Sequence, residues 1–226
     1  MITCGLCLET MDETKLQKFE SNCIFRRYKN INQHLIRYQC LNCDVIFGPQ
    51  DMLNLPSEKL TEYYQLVYGS GYKEADSSDL EMLLLQYLNP IKNGIYLNFG
   101  SGTNPTSEKA KKENIILLNY DPGFPKTGIT LDQMKSIKFD GIISNNVLDH
   151  MQDPIEILKL MKSLLKSNAS MIHASDGFDY NIPYTKAHLY FFVGKSVEYI
   201  TKNIGMAYEE IPYDINPEIK IVKWTN

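Results

Sequence analysis

Two Cys-x-x-Cys pairs, Cys4/Cys7 and Cys40/Cys43, constrain the front of this chain more than any other feature. Each pair makes a tight turn that aims two sulfurs at one point, and four thiolates complete one tetrahedral zinc site. Four protein ligands leave no position for water, so such a site is structural rather than catalytic. Between the pairs, residues 24–28 and 35–39 read as short strands. Two knuckles joined by a hairpin make a zinc ribbon. Four ordinary buried thiols are the alternative. Cys23 stands alone and reads as a small core residue, or as a substitute ligand if the geometry demands one.

Composition excludes several functions. The formal charge of the 226 residues is −4, and the first fifty carry six Lys/Arg against five Asp/Glu, so nucleic acid is not an obligatory partner. No apolar run approaches the ~20 residues that span a bilayer. The start, Met-Ile-Thr-Cys-Gly, lacks the basic and apolar regions of a signal peptide. A cytoplasmic protein follows as the expectation, where reduced thiols favour metal over disulfides. The oligomeric state is not legible.

Three segments are expected: a zinc-ribbon module at 1–49, a helical connector at 50–90, and a larger domain at 91–226. The ribbon closes at Phe47-Gly48-Pro49. The connector holds Tyr63, Tyr64, Tyr68 and Tyr72, then Leu80, Leu83, Leu84, Tyr87 and Leu88 at helical spacing. From residue 94 strands and helices alternate. Residues 95–99, 115–120, 141–144 and 170–174 read as strands. A helix starts after Asp153-Pro154, with proline at the favoured first turn. Another, around 197–204, stops at Gly205. Residues 207–211 and 219–224 supply two last strands. This alternation implies a mostly parallel, doubly wound α/β sheet with an antiparallel hairpin at one edge, the layout of a Rossmann-like fold.

Ligands of such sheets bind beyond the carboxyl ends of the strands. There the first strand runs into Gly100-Ser101-Gly102, the second ends at Asp121, and the third is followed by Asn145 and Asn146. The glycines let a cofactor approach bare backbone, and an acid at the second strand end can accept both ribose hydroxyls. Read singly, the glycines are a tight turn and Asp121 a turn residue before Pro122-Gly123. Their order and spacing favour a cofactor. A dinucleotide needs glycine where Pro105 stands, because proline removes an N–H that would hold the pyrophosphate. S-adenosylmethionine has no phosphate, so the sequence favours the methyl donor over nicotinamide.

The run Asn98-Phe99-Gly100-Ser101-Gly102 resembles the glycine motif of class I S-adenosylmethionine-dependent methyltransferases. The segment 139–154, with Val147-Leu148-Asp149-His150-Met151, is similar to that family's Val-Leu-Glu-His-type run at the fourth strand. His188-Leu189-Tyr190-Phe191-Phe192, a helix and Gly205-Met206 resemble its late aromatic segment. With the cysteine module in front, the chain looks like a subgroup several of whose members methylate sugars, nucleotide-linked sugars or other small metabolites. The resemblance implies S-adenosylmethionine and Zn2+ as cofactors and a small-molecule acceptor, carbohydrate among the candidates. It implies Asn98, Gly100, Ser101, Gly102, Asp121, Asn145 and Asn146 as the donor-binding set. The chain departs from the motif at Asn98, where an acid is usual, and at Asn104, where a third glycine is usual. A non-catalytic binding protein with a degenerate motif is therefore the alternative.

Methyl transfer is an in-line displacement, so aligning donor and acceptor is much of the catalysis. A base is needed only where the acceptor must lose a proton. His150 is the candidate base and Asp149 the residue that would orient it. The other reading of His150 brings a histidine that braces its loop. His188 reads as acceptor-facing or as pocket wall. His173, within a strand, and Trp224 read as structural, and His34 has no cysteine at ligand spacing.

Overall fold

The computed structural model describes residues 1–22, 34–69, 76–180 and 186–226. The expected strand at 24–28, Cys23 and Tyr72 lie outside the described residues. The first cysteine pair lies between β1 (Ile2–Thr3) and β2 (Thr10–Met11), which pair antiparallel. Strands β3 (Lys18–Asn22) and β4 (His34–Gln39) lead to the second pair, and β5 (Ile46–Phe47) leaves it. Three helices follow, α1 (Gln50–Leu53), α2 (Ser57–Gly69) and α3 (Ser78–Tyr87).

The larger domain then runs β6 (Ile95–Phe99), α4 (Thr106–Lys112), β7 (Ile116–Tyr120), α5 (Leu131–Lys135), β8 (Phe139–Asn145), α6 (Pro154–Leu164) and β9 (Leu165–Ser175). It continues with β10 (Tyr190–Phe191), α7 (Ser196–Ile204), β11 (Ala207–Ile211) and β12 (Lys220–Thr225). Six strands form one sheet in the order β11-β12-β9-β8-β6-β7. The four from β7 to β9 are parallel, whereas β12 runs antiparallel to β9 and β11 antiparallel to β12. The Rossmann-like α/β sheet with its antiparallel edge hairpin is thus present.

Period-two alternation sorts each strand between two cores. Leu97, Ile142, Met171 and Val222 face one side with Leu158, Met161 and Leu164 of α6 and Val197 and Ile200 of α7. Tyr96, Ile143, Ile172 and Ile221 face the other with Leu84 and Leu85 of α3 and Ala110 of α4. Each fully buried leucine contributes roughly 1.5–3 kcal/mol. Local signals set the helix ends. The Asp153 carboxylate accepts from Glu156 N at 3.0 Å, with Pro154 in the first turn of α6. Gly205, at φ 62°, ends α7. No helix of the described residues is long and apolar enough to cross a membrane.

A second sheet, antiparallel throughout, has the order β10-β5-β4-β3. Tyr190 pairs with Phe47 and Phe191 with Ile46, so a strand from late in the chain completes the sheet of the cysteine module. The module shares one apolar core with the larger sheet: Cys4, Leu6, Cys43 and Phe47 belong to the same buried cluster as Leu97, Leu158 and Trp224.

Candidate functional site

The glycine turn sits at the carboxyl end of β6. Gly100 and Gly102 have φ of 74° and 53°, the region that side chains disfavour. A Cβ on Gly100 would lie 2.3 Å from Val147 Cγ2, so the turn is pressed against the segment that follows β8. Gly102 N donates to Asp121 Oδ2 at 2.9 Å, while Asp121 Oδ1 accepts from Gly123 N and Phe124 N at 2.7 and 3.2 Å. Asp121 therefore ties the glycine turn to the end of β7 through three backbone N–H groups. Ser101 is buried, and its hydroxyl has no hydrogen-bond partner among the described residues. The same holds for the buried side-chain oxygen of Asn145. Asn146, at φ 49°, donates its N–H to Ala174 O and accepts from Asp176 N, which joins the ends of β8 and β9. Two clefts lie away from this turn, one beside Phe178, Phe192 and Val222, the other beside Cys4, Gln50 and Tyr190.

Asn98 shows where the missing acid went. Its side-chain nitrogen donates to Glu81 Oε2 at 2.7 Å. The Glu81 carboxylate, 2 % exposed on α3, also accepts from Thr106 at 2.5 Å, Asn104 at 2.7 Å and Ser77 at 2.9 Å. Both departures from the glycine motif thus donate to one buried anion. Glu81 was not singled out in the sequence. The signal was available: 81, 84, 85 and 88 share the i, i+3, i+4, i+7 spacing of a buried stripe, and a glutamate there needs partners.

A second cluster begins one residue past Val147. Residues 148–150 form a single 3-10 turn. Asp149 is fully buried; its Oδ1 accepts from the Ser175 hydroxyl at 3.2 Å, and its Oδ2 accepts no hydrogen bond among the described residues. Oδ2 lies 3.3 Å from His150 Nε2 and 3.5 Å from His188 Nε2. His150 Nδ1 donates to Ala187 O at 2.9 Å, and the Tyr64 hydroxyl on α2 donates to His150 O at 2.8 Å. Both ring nitrogens of His150 are thus directed at protein atoms. His188 reaches the cluster because Leu189 N donates to Asp149 O at 2.7 Å, and Arg37 of β4 donates to His188 O at 3.1 Å. Burial pushes His188 and His173 down to about 4. Burial works to raise Asp149, but the His150, His188 and His173 rings outweigh it and hold that carboxyl below the usual range. His173 accepts or donates through Nδ1 to the Ser144 hydroxyl at 2.8 Å and is a core residue, as is Trp224, whose indole N–H donates to Thr201 at 2.9 Å.

The four cysteines converge. Cys4 and Cys43 sulfurs lie 3.8 Å apart, and Cys7 and Cys40 sulfurs 3.5 Å. A tetrahedron with Zn–S bonds of about 2.3 Å has edges of about 3.8 Å, so the donor set fits zinc. The two knuckles repeat one backbone pattern. Cys4 N donates to Glu9 O and Leu8 N to Cys4 O; Cys40 N donates to Val45 O and Asp44 N to Cys40 O. Leu8 and Asp44, the equivalent residues, have φ of 60° and 62°. Each knuckle also touches the larger domain. A Cβ on Gly5 would meet the Tyr190 hydroxyl at 2.0 Å, and Asp44 Oδ2 accepts from Lys195 N at the start of α7.

No curated protein matches the chain in sequence. Among solved structures, it is similar to 1,6-didemethyltoxoflavin-N1-methyltransferase of Burkholderia thailandensis, solved with S-adenosylhomocysteine. The two are 13 % identical with a TM-score of 0.56, over 82 % of this chain and 97 % of that one. It is also similar to an S-adenosylmethionine-dependent methyltransferase of Archaeoglobus fulgidus, 16 % identical, TM-score 0.51, over 73 % of this chain and all of that one. Against a larger Nostoc punctiforme chain it spans 57 % of the length, with 12 % identity and a TM-score of 0.46. At these identities the likeness is one of fold. The profile of the methyltransferase domain family matches residues 72–207, which takes in α3, the glycine turn, the Asp149 turn and α7. With that match over more than half of its length, the chain belongs to the methyltransferase domain family.

Proposed function

We propose that this protein transfers a methyl group from S-adenosylmethionine to a small-molecule acceptor. The observation that supports it most is the turn at Gly100 and Gly102, held in positive φ at the end of a central parallel strand and tied to Asp121 at the end of the next. When bound, the donor supplies an electrophilic methyl on a sulfonium. This chain's part is to hold and aim it. The glycines offer backbone without side chains, Asp121 offers carboxylate lone pairs beside Gly102, and Ser101 and Asn145 bring buried oxygens with no other partner among the described residues. Asn98 and Asn146 complete the donor-binding set. The Glu81 carboxylate stands behind Asn98, whose side-chain nitrogen donates to it.

Asp149 and His150 belong to the acceptor side, next to Val147 and hence to the turn. Zinc on Cys4, Cys7, Cys40 and Cys43 would be structural and would place the chain in the zinc-ribbon subgroup. Sugars and nucleotide-linked sugars are the acceptor class that subgroup suggests. Calorimetry with S-adenosylmethionine tests the reading. Binding is expected, weakened by about 1–3 kcal/mol in Asp121→Ala, the usual loss of a charge-assisted partner. No heat of binding at millimolar donor would support the non-catalytic alternative, which the engagement of Asp121 with three backbone N–H groups favours.

A further inference from the structure

We propose that Asp149, His150 and His188 form a second metal site, taking a divalent cation of the zinc class through three protein ligands. Three observations carry it. The first is spacing. The carboxylate oxygen and the two Nε2 atoms lie 3.3 and 3.5 Å apart, and all three ligand atoms fall within 4.8 Å of one another. A hydrogen-bonded imidazolium–carboxylate pair closes to about 2.7–2.9 Å. A tetrahedron with bonds of about 2.0–2.1 Å to nitrogen and oxygen has edges of about 3.3–3.4 Å. The observed separations match the second geometry and miss the first twice over.

The second observation is orientation. Metal-bound histidines ordinarily donate their other ring N–H to a carbonyl or carboxylate, which fixes the tautomer. His150 does this through Nδ1 to Ala187 O. His188 has no such partner on Nδ1 among the described residues, so of the two rings only His150 shows this orientation. The third is charge. Asp149 Oδ2 is a buried carboxylate oxygen that accepts no hydrogen bond among the described residues, and an anion so placed is costly unless a cation meets it. Ser175 fixes the other oxygen, leaving Oδ2 as the single donor atom.

The set comes from two separate segments, 149–150 and 188, held together by the Leu189 to Asp149 backbone bond. The His150 and His188 side chains keep 10 % and 14 % exposure, so the cluster reaches the surface. Three ligands leave a fourth position open, as catalytic rather than structural zinc sites do. An oxygen ligand would take that position, and a hydroxyl so held would lose its proton to water more readily. The role as an acceptor site rests on the methyl-transfer reading; the metal site does not.

The test is metal counting on the full chain. After stripping with a chelator and dialysis against zinc, we expect two equivalents per chain. His188→Ala should keep the four-thiolate equivalent and lose the second, and Cys40→Ser should lose the four-thiolate equivalent. Cobalt(II) in the unaltered protein separates the sites without any variant. The four-thiolate site gives a strong sulfur-to-cobalt charge-transfer band, and a second equivalent should add weaker visible bands without it. One equivalent with only thiolate character, or two equivalents unchanged in His188→Ala, would overturn the proposal. Donor calorimetry on the same sample keeps the two readings apart. Donor binding without a second metal sinks this site alone, and a second metal without donor binding sinks the methyl-transfer reading alone.

Discussion

At the scale of the residue, Gly100 and Glu81 carry the most risk. Alanine at Gly100 must adopt a φ of 74° and place its Cβ 2.3 Å from Val147 Cγ2. Backbone strain of this kind costs about 1–3 kcal/mol before the clash is counted. Gly100→Ala should therefore lower the denaturant midpoint and abolish donor binding, and adding Val147→Ala should recover part of the stability. An unchanged midpoint would mean that the turn is not pressed as described. Glu81 takes hydrogen bonds from four side chains in a site that water hardly reaches. Glu81→Ala strands those donors, each at about 1–3 kcal/mol if nothing relaxes, so a loss of more than 2 kcal/mol is expected in equilibrium unfolding. A stable Glu81→Ala protein would show that the network contributes little. The two residues were unequally legible. Glycine announces itself because only backbone requirements retain it at a strand end, whereas Glu81 looks like any helix-surface glutamate until its stripe is counted.

At the scale of the element, the contact between the first knuckle and β10 can be isolated. Gly5 has no side chain because the Tyr190 hydroxyl occupies that space and donates to Gln152 O at 2.8 Å. Gly5→Ala should push the phenol off that carbonyl and destabilise the protein. Tyr190→Phe alone should cost about 0.5–1.5 kcal/mol, the net worth of one hydrogen bond. Combined, the two changes should cost less than their sum, since phenylalanine vacates the space. Strict additivity in thermal unfolding would refute the packing. Most elements of the larger sheet were legible because strands such as Ile95–Phe99 and Ile116–Tyr120 are mostly apolar, each interrupted by one asparagine. The pairing of β10 was not. Tyr190 and Phe191 form a two-residue strand whose partner is far off in sequence, and no local pattern encodes such a pairing. The same non-locality hid the meeting of His188 with Asp149 and His150. The place of His150 after β8 is legible locally, whereas the two partners of its ring are visible only in three dimensions.

At the scale of the whole molecule, the cysteine module and the larger sheet share one core, so the loss of zinc should not stay local. Chelation or Cys40→Ser should loosen the knuckles and the strand laid against them. Hydrogen exchange at residues 188–192 is the measurement, and faster exchange there on zinc removal is expected. Exchange that changes only in residues 1–49 would mean that the module is thermodynamically separate. The strand pairing also bears on how the protein is made. The module's sheet lacks its outer strand until residue 191 has been synthesised, roughly 140 residues after β5. At about 5–20 residues per second, that leaves a nascent chain with an unpaired β-edge for roughly 7–30 s on the ribosome. Metal captured early by the thiols would hold the knuckles through that interval, and zinc supply during translation would then bear on yield.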